Sequence, residues 1–205
     1  MPTQRIALFG GTFDPIHFGH MLLAVRAYEV LDLNRVIFIP ARQPPHKNKP
    51  IACPDDRLEM IRLAVSGDQR FLVCDCELSR PEPSYTIDTV RHVQESMGRE
   101  NDWFWIIGSD MLPDLNTWYK ASELLELVSI VVFTRTGYAQ LDLSCLSHSL
   151  TGSQIERIKA NIIEVPLVDI SSTDIRQRLA RKQSLRYFLP ASVADYIARR
   201  RLYPS

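Results

Sequence analysis

Ile6-Ala7-Leu8-Phe9-Gly10-Gly11-Thr12-Phe13-Asp14-Pro15-Ile16-His17-Phe18-Gly19-His20 runs from an apolar stretch through a glycine pair to the opening of a helix. Residues 6 to 10 are apolar or small throughout, the pattern of a parallel strand buried on both faces. Gly10 and Gly11 end it, and without a Cβ they let the backbone approach a bulky anion. Beyond them, Met21 to Leu33 carries Leu22, Leu23, Val25, Ala27, Val30 and Leu31 as the apolar face of a helix. A helix N-terminus favours an anion, so strand, loop and helix together imply a site for phosphates. His17 and His20 are three apart and share one face if the helix has begun at His17. Their imidazole N–H groups would then aim at the same anion. Each also fits a capping or core histidine, or half of a metal site. Zinc would want further ligands at recognisable spacing, and His46 lies in a proline-rich loop.

The 205 residues fit one domain, 1–205, with C-terminal helices from about 170 to 205 packing on its core. Lys plus Arg (24) equals Asp plus Glu (24), so no global basic field recruits nucleic acid or an anionic membrane. No stretch reaches the length of a membrane span and no signal-peptide pattern opens the chain, which makes the cytoplasm the expected location. Disulfides are not expected among Cys53, Cys74, Cys76 and Cys145. Cys74 and Cys76 alternate along an expected strand, Phe71 to Cys76, and so share one of its faces.

Further strands are expected at Arg35 to Pro40, Trp103 to Gly108, Val128 to Thr134 and Ile162 to Val165. Helices are expected near 54–66, 85–97, 118–126, 153–160, 172–182 and 190–201. Residues 40 to 54 hold five prolines and form no regular element. This alternation argues an α/β fold, a doubly wound parallel sheet of Rossmann-like type with a small C-terminal helical part. In such sheets ligands bind beyond the carboxyl ends of the strands, at the switch point.

The second marked run is Asp169-Ile170-Ser171-Ser172-Thr173-Asp174-Ile175-Arg176. Ser171 with Asp174 fits a capping box. The same hydroxyls, with Arg176 just inside the helix, also describe an anion cradle, because the guanidinium fork matches phosphate oxygens.

Gly-Gly-Thr-Phe-Asp-Pro-Ile-His-Phe-Gly-His followed much later by Ile-Ser-Ser-Thr-Asp-Ile-Arg resembles the nucleotidyltransferase superfamily. Pro44-Pro45-His46-Lys47, Pro83-Ser84-Tyr85-Thr86, Gly108-Ser109-Asp110 and Trp118-Tyr119 narrow the resemblance to the bacterial nicotinate mononucleotide adenylyltransferases. It is weakest between 136 and 162. It implies transfer of AMP from ATP to nicotinate mononucleotide, with nicotinate adenine dinucleotide and pyrophosphate as products. By resemblance, His17 and His20 contact ATP phosphates, while Ser172, Thr173 and Arg176 grip the β and γ groups. Gly10, Gly11, Thr12 and Phe13 lie along the phosphate path, and Gly108 and Asp110 serve the nucleotide, Asp110 through a ribose hydroxyl. His46 and Lys47 belong to a loop expected to close over the reacting phosphates, and Arg135 is a further candidate on the pyridine-nucleotide side. Trp118 stacks on the nicotinate ring, the backbone N–H groups of Thr86 and Tyr119 receive its carboxylate, and Tyr85 is a further pyridine-nucleotide-binding residue. Mg²⁺ rides on the triphosphate with no protein ligand. The partners are these small molecules, and homo-oligomerisation stays open.

Several alternatives compete. A redox dinucleotide-binding protein would want Gly-x-Gly-x-x-Gly, which Gly10-Gly11-Thr12-Phe13 lacks. Phosphopantetheine adenylyltransferases are usually shorter and lack the Trp118-Tyr119 pair. Nicotinamide mononucleotide or another phosphomonoester as acceptor, and a nucleotide sensor without turnover, remain the other readings.

Overall fold

The computed structural model describes residues 2–42, 50–80, 84–135, 142–166 and 168–204, Arg135 through its backbone alone. Six strands form one parallel sheet: β1 (Arg5–Gly11), β2 (Arg35–Pro40), β3 (Phe71–Val73), β4 (Asp102–Gly108), β5 (Ser129–Arg135) and β6 (Ile162–Val165), in the order β3-β2-β1-β4-β5-β6. Between them run α1 (Phe18–Val30), α2 (Pro54–Val65), the single turn α3 (Cys76–Ser79), α4 (Thr86–Met97), α5 (Ala121–Leu127) and α6 (Gly152–Ala160). α7 (Ser172–Ala180) and α8 (Ala191–Arg200) follow β6. No helix among the described residues is long and apolar enough to cross a membrane.

Alternating side chains of the central strands feed two apolar layers, as a sheet covered on both faces requires. Ala7, Phe9, Phe38, Ile106 and Phe133 face Ala24 of α1, Ile61 of α2, Ile175 of α7 and Val193 of α8. Ile6, Leu8, Ile37, Trp105 and Val132 face Val90 of α4, Leu124 of α5 and Ile158 of α6. The chain leaves the centre of the sheet in opposite directions from β1 and β4, which opens a crevice at their carboxyl ends. Both glycine-terminated strands, β1 and β4, deliver their loops there.

Three local expectations need correction. β3 stops at Val73, and Cys76 begins α3 instead of sharing a strand face with Cys74. The ladder ends for a chemical reason. Cys74 N–H donates to Phe38 O at 2.9 Å, and the next bond would need an N–H from Pro40, which has none. α1 starts at Phe18, a turn earlier than the apolar spacing suggests, because His17 is its N-cap. The helix expected near 118–126 begins only at Ala121, and a 3₁₀ helix, Ser109–Thr117, fills the stretch between it and β4.

Candidate active site

β1 needs both of its glycines for space. A Cβ on Gly10 would come within 2.6 Å of the Trp105 ring on β4, and one on Gly11 within 2.9 Å of the Phe13 ring. Phe13 takes a left-handed φ of 48° and is buried against Phe9, Phe38 and His20. Its ring is therefore core, and only its backbone lines the loop. Thr12 is half-buried on the same turn.

His17 and His20 do share one face, as rings stacked at 3.7 Å between centroids and 28° between planes. Gly19 makes this pairing fit, since a Cβ there would meet His17 Nδ1 at 2.9 Å. His20 Nδ1 accepts the His17 backbone N–H at 3.3 Å, which leaves the Nε2 of a neutral His20 as the protonated nitrogen. Burial pulls the His17 pKa down to about 4, so that imidazole is neutral at ordinary pH. Its Nδ1 is a buried atom without a partner among the described residues.

The two marked runs meet, through bonds between residues 157 and 162 positions apart. Ser172 Oγ donates to Pro15 O at 2.8 Å, and Arg176 Nη1 donates to Asp14 O at 2.6 Å. Arg176 Nη2 also reaches Thr173 Oγ1 at 3.2 Å. Ser171 caps α7 by accepting Asp174 N–H at 3.1 Å, so the cap is present at the same turn as the candidate cradle. Together α1 and α7 place two helix N-termini beside one loop.

On the neighbouring strand, the carboxylate of the exposed Asp110 folds back over Gly108 into the space a Cβ would take. Across the sheet, on the face covered by α4 and α5, Tyr85 and Trp118 pack against the core. Tyr85 and Tyr119 lie 4.3 Å apart at 31°, and Tyr119 is 49% exposed. Thr86 is the first residue of α4, so its N–H has no intrahelical acceptor. His46 and Lys47 lie outside the described residues, as does the side chain of Arg135.

Three residues absent from the sequence-derived set prove central to the loop. Arg57, fully buried on α2, donates to Thr12 O and Ala41 O, each at 2.7 Å, and to Arg42 O at 3.1 Å. It thereby fastens the ends of β1 and β2. The buried Asp14 carboxylate accepts from Ile51 N at 2.8 Å, Ala52 N at 3.1 Å and Tyr203 Oη at 2.7 Å. A signal for Arg57 did exist: it shares a helical face with Met60, Ile61 and Val65, where an unsupported charge is costly. Nothing local announces the partners of Asp14 or Tyr203.

Residues 8–178 match the cytidylyltransferase-like family model. The probable nicotinate-nucleotide adenylyltransferase of a Thermus thermophilus strain is 42% identical, over 98% of this chain and 100% of that protein. A protein of the same name from Synechococcus sp. JA-3-3Ab is 40% identical over 98% and 95%. Among solved structures, the Plasmodium falciparum nicotinic acid mononucleotide adenylyltransferase complexed with NaAD superposes with a TM-score of 0.73 at 18% identity, covering 98% of this chain and 97% of that one. That likeness carries the fold, and the bacterial relatives carry the membership. The chain belongs to the cytidylyltransferase-like family and, within it, to the nicotinate-nucleotide adenylyltransferases.

Proposed function

We propose that this chain transfers AMP from ATP to nicotinate mononucleotide, releasing pyrophosphate and forming nicotinate adenine dinucleotide, a step of NAD biosynthesis. One observation supports this most: Ser172 and Arg176 bond to the Asp14 and Pro15 carbonyls, so the loop with the two histidines and the start of α7 make one site. The nucleophile is the acceptor's phosphate, whose second pKa near 6 leaves it largely dianionic at neutral pH. No general base is needed. A phosphate oxygen of the acceptor bonds to the α-phosphorus as the bond to the β-phosphate's bridging oxygen breaks, and pyrophosphate leaves with that electron pair.

Positioning and charge stabilisation are then the work of the protein. His20 Nε2–H, neutral His17, the Thr12 loop, Gly10 and Gly11 serve the α- and β-phosphates. Ser172, Thr173 and Arg176 hold the leaving group. These donors are N–H and O–H groups that suit phosphate oxygens, so the divalent ion enters as part of the substrate, Mg-ATP. Gly108 and Asp110 meet the ribose.

At the other end Trp118 stacks on the pyridine, with Tyr85 alongside. The Thr86 and Tyr119 N–H groups favour a carboxylate, which only accepts, over a carboxamide, which also donates. His46, Lys47 and Arg135 are assigned to the reacting phosphates and the acceptor.

The test is product analysis. Mg-ATP and nicotinate mononucleotide incubated with the protein should yield pyrophosphate and nicotinate adenine dinucleotide in equal amounts. Faster turnover with nicotinamide mononucleotide or phosphopantetheine would overturn the acceptor, and no turnover with any of the three would leave a binding protein.

A further inference from the structure

Arg176 lies between two claims on its charge. Its Nη1 donates to the backbone carbonyl of Asp14 at 2.6 Å, while the nearer carboxylate oxygen of the same residue, Oδ2, is 4.0 Å away. A guanidinium and a carboxylate this close normally close into a shorter, charge-assisted contact. Here the carboxylate is already taken. Oδ2 accepts from Ile51 N, and Oδ1 accepts from Ala52 N and from the Tyr203 hydroxyl. Tyr203 is near the end of the chain, 189 residues from Asp14 in sequence, with a left-handed φ of 58° and 7% exposure. Burial, and then the Asp14 carboxylate, push its phenol pKa upward, so it stays a donor. A cavity of about 260 Å³ touches Thr173, Arg176 and Tyr203 together, which gives the guanidinium room to change position.

We propose that Tyr203 is a positioning residue for adenylyl transfer: by satisfying Asp14 with its hydroxyl, it keeps the Arg176 guanidinium off that carboxylate and available to the phosphates of ATP. This rests on the reading of Arg176 as a phosphate ligand. Without the phenol O–H, Oδ1 keeps, among the described residues, only the 3.1 Å bond from Ala52 N, and the carboxylate draws Arg176 inward. The loss falls on ATP and leaves the acceptor alone, because the aromatic residues assigned to the pyridine pack against the opposite face of the sheet.

A double-mutant cycle on the full chain decides it. The dissociation constant of Mg-ATP is measured by calorimetry in the wild type, Tyr203→Phe, Arg176→Ala and the double variant, with the KM for nicotinate mononucleotide measured alongside. Tyr203→Phe, which keeps the ring, should weaken Mg-ATP by roughly three- to ten-fold while the acceptor KM stays within about two-fold. In the Arg176→Ala background the same substitution should change nothing further. Equal loss in both backgrounds, loss shared by both substrates, or no loss in Tyr203→Phe overturns the proposal and leaves Tyr203 a structural tether. Thermal unfolding of all four proteins tracks general loosening, which would act alike in both backgrounds. If Arg176→Ala binds Mg-ATP like the wild type, the assignment of Arg176 itself falls, and the role of Tyr203 with it.

Discussion

The proposed function divides the site into a phosphate end and a pyridine end, and at the first of these the loop from Thr12 to His20 is held by side chains from α2, α7 and the segment after α8: Arg57, Ser172, Arg176 and Tyr203 all bond to it. At the pyridine end, Tyr119 is 49% exposed and Tyr85 rests against it through ring contact. The contrast follows the chemistry each end is proposed to do. Stabilising charge that appears only in the transition state requires donors fixed beforehand. An aromatic ring can be clasped by aromatic side chains that rearrange, since stacking tolerates small displacements. Under the proposed assignment, the braced loop is where phosphorus changes partners and the exposed aromatic pair is where the acceptor is chosen.

Four substitutions or conditions probe the rigid end, in falling order of effect. His20→Ala removes a fixed donor and should lower kcat by a factor on the order of a thousand with the thermal unfolding curve nearly unchanged; kcat within a few-fold of wild type would strip His20 of its role. Arg57→Ala leaves three part-buried carbonyls without their charged donor, and should cost roughly 3–5 kcal/mol in denaturant unfolding. A loss below about 1 kcal/mol would place the bracing of the loop elsewhere.

The pH dependence comes next. His17 has a pKa near 4 in the folded chain, below the 6.5 of an unperturbed histidine. The unfolded chain therefore binds the proton first as pH falls, and the His17 contribution to stability, complete above about 6.5, is lost progressively down to about 4. His17→Gln should flatten that part of the stability profile, and an unchanged slope would show that other groups set it. The smallest effect belongs to Ser171→Ala, which removes the α7 cap and should cost about 1 kcal/mol.

Much of this architecture was legible in the sequence because parallel strands and amphipathic helices write their burial into local pattern. Val36 to Ile39 and Trp103 to Ile107 are continuous apolar runs, and both are central strands. The two marked runs were legible as candidate anion sites, since glycines, histidines and hydroxyls at a strand-to-helix junction are the groups such a site would use. What could not be read was their joining. The bonds from Ser172 to Pro15 and from Tyr203 to Asp14 span most of the chain, and nothing in local spacing encodes them. The early end of β3 was hidden differently: its cause is the missing N–H of Pro40 on the adjacent strand.

The separation of the two ends is tested most directly by measuring KM for both substrates in Arg176→Ala and Trp118→Ala. A crossed result is expected: Arg176→Ala raises KM for Mg-ATP by about ten-fold or more with the acceptor KM held within about two-fold, and Trp118→Ala does the reverse, by a similar factor. Variants that each shift both constants to the same degree would contradict it, and would mean that the phosphate and pyridine ends act as a single unit.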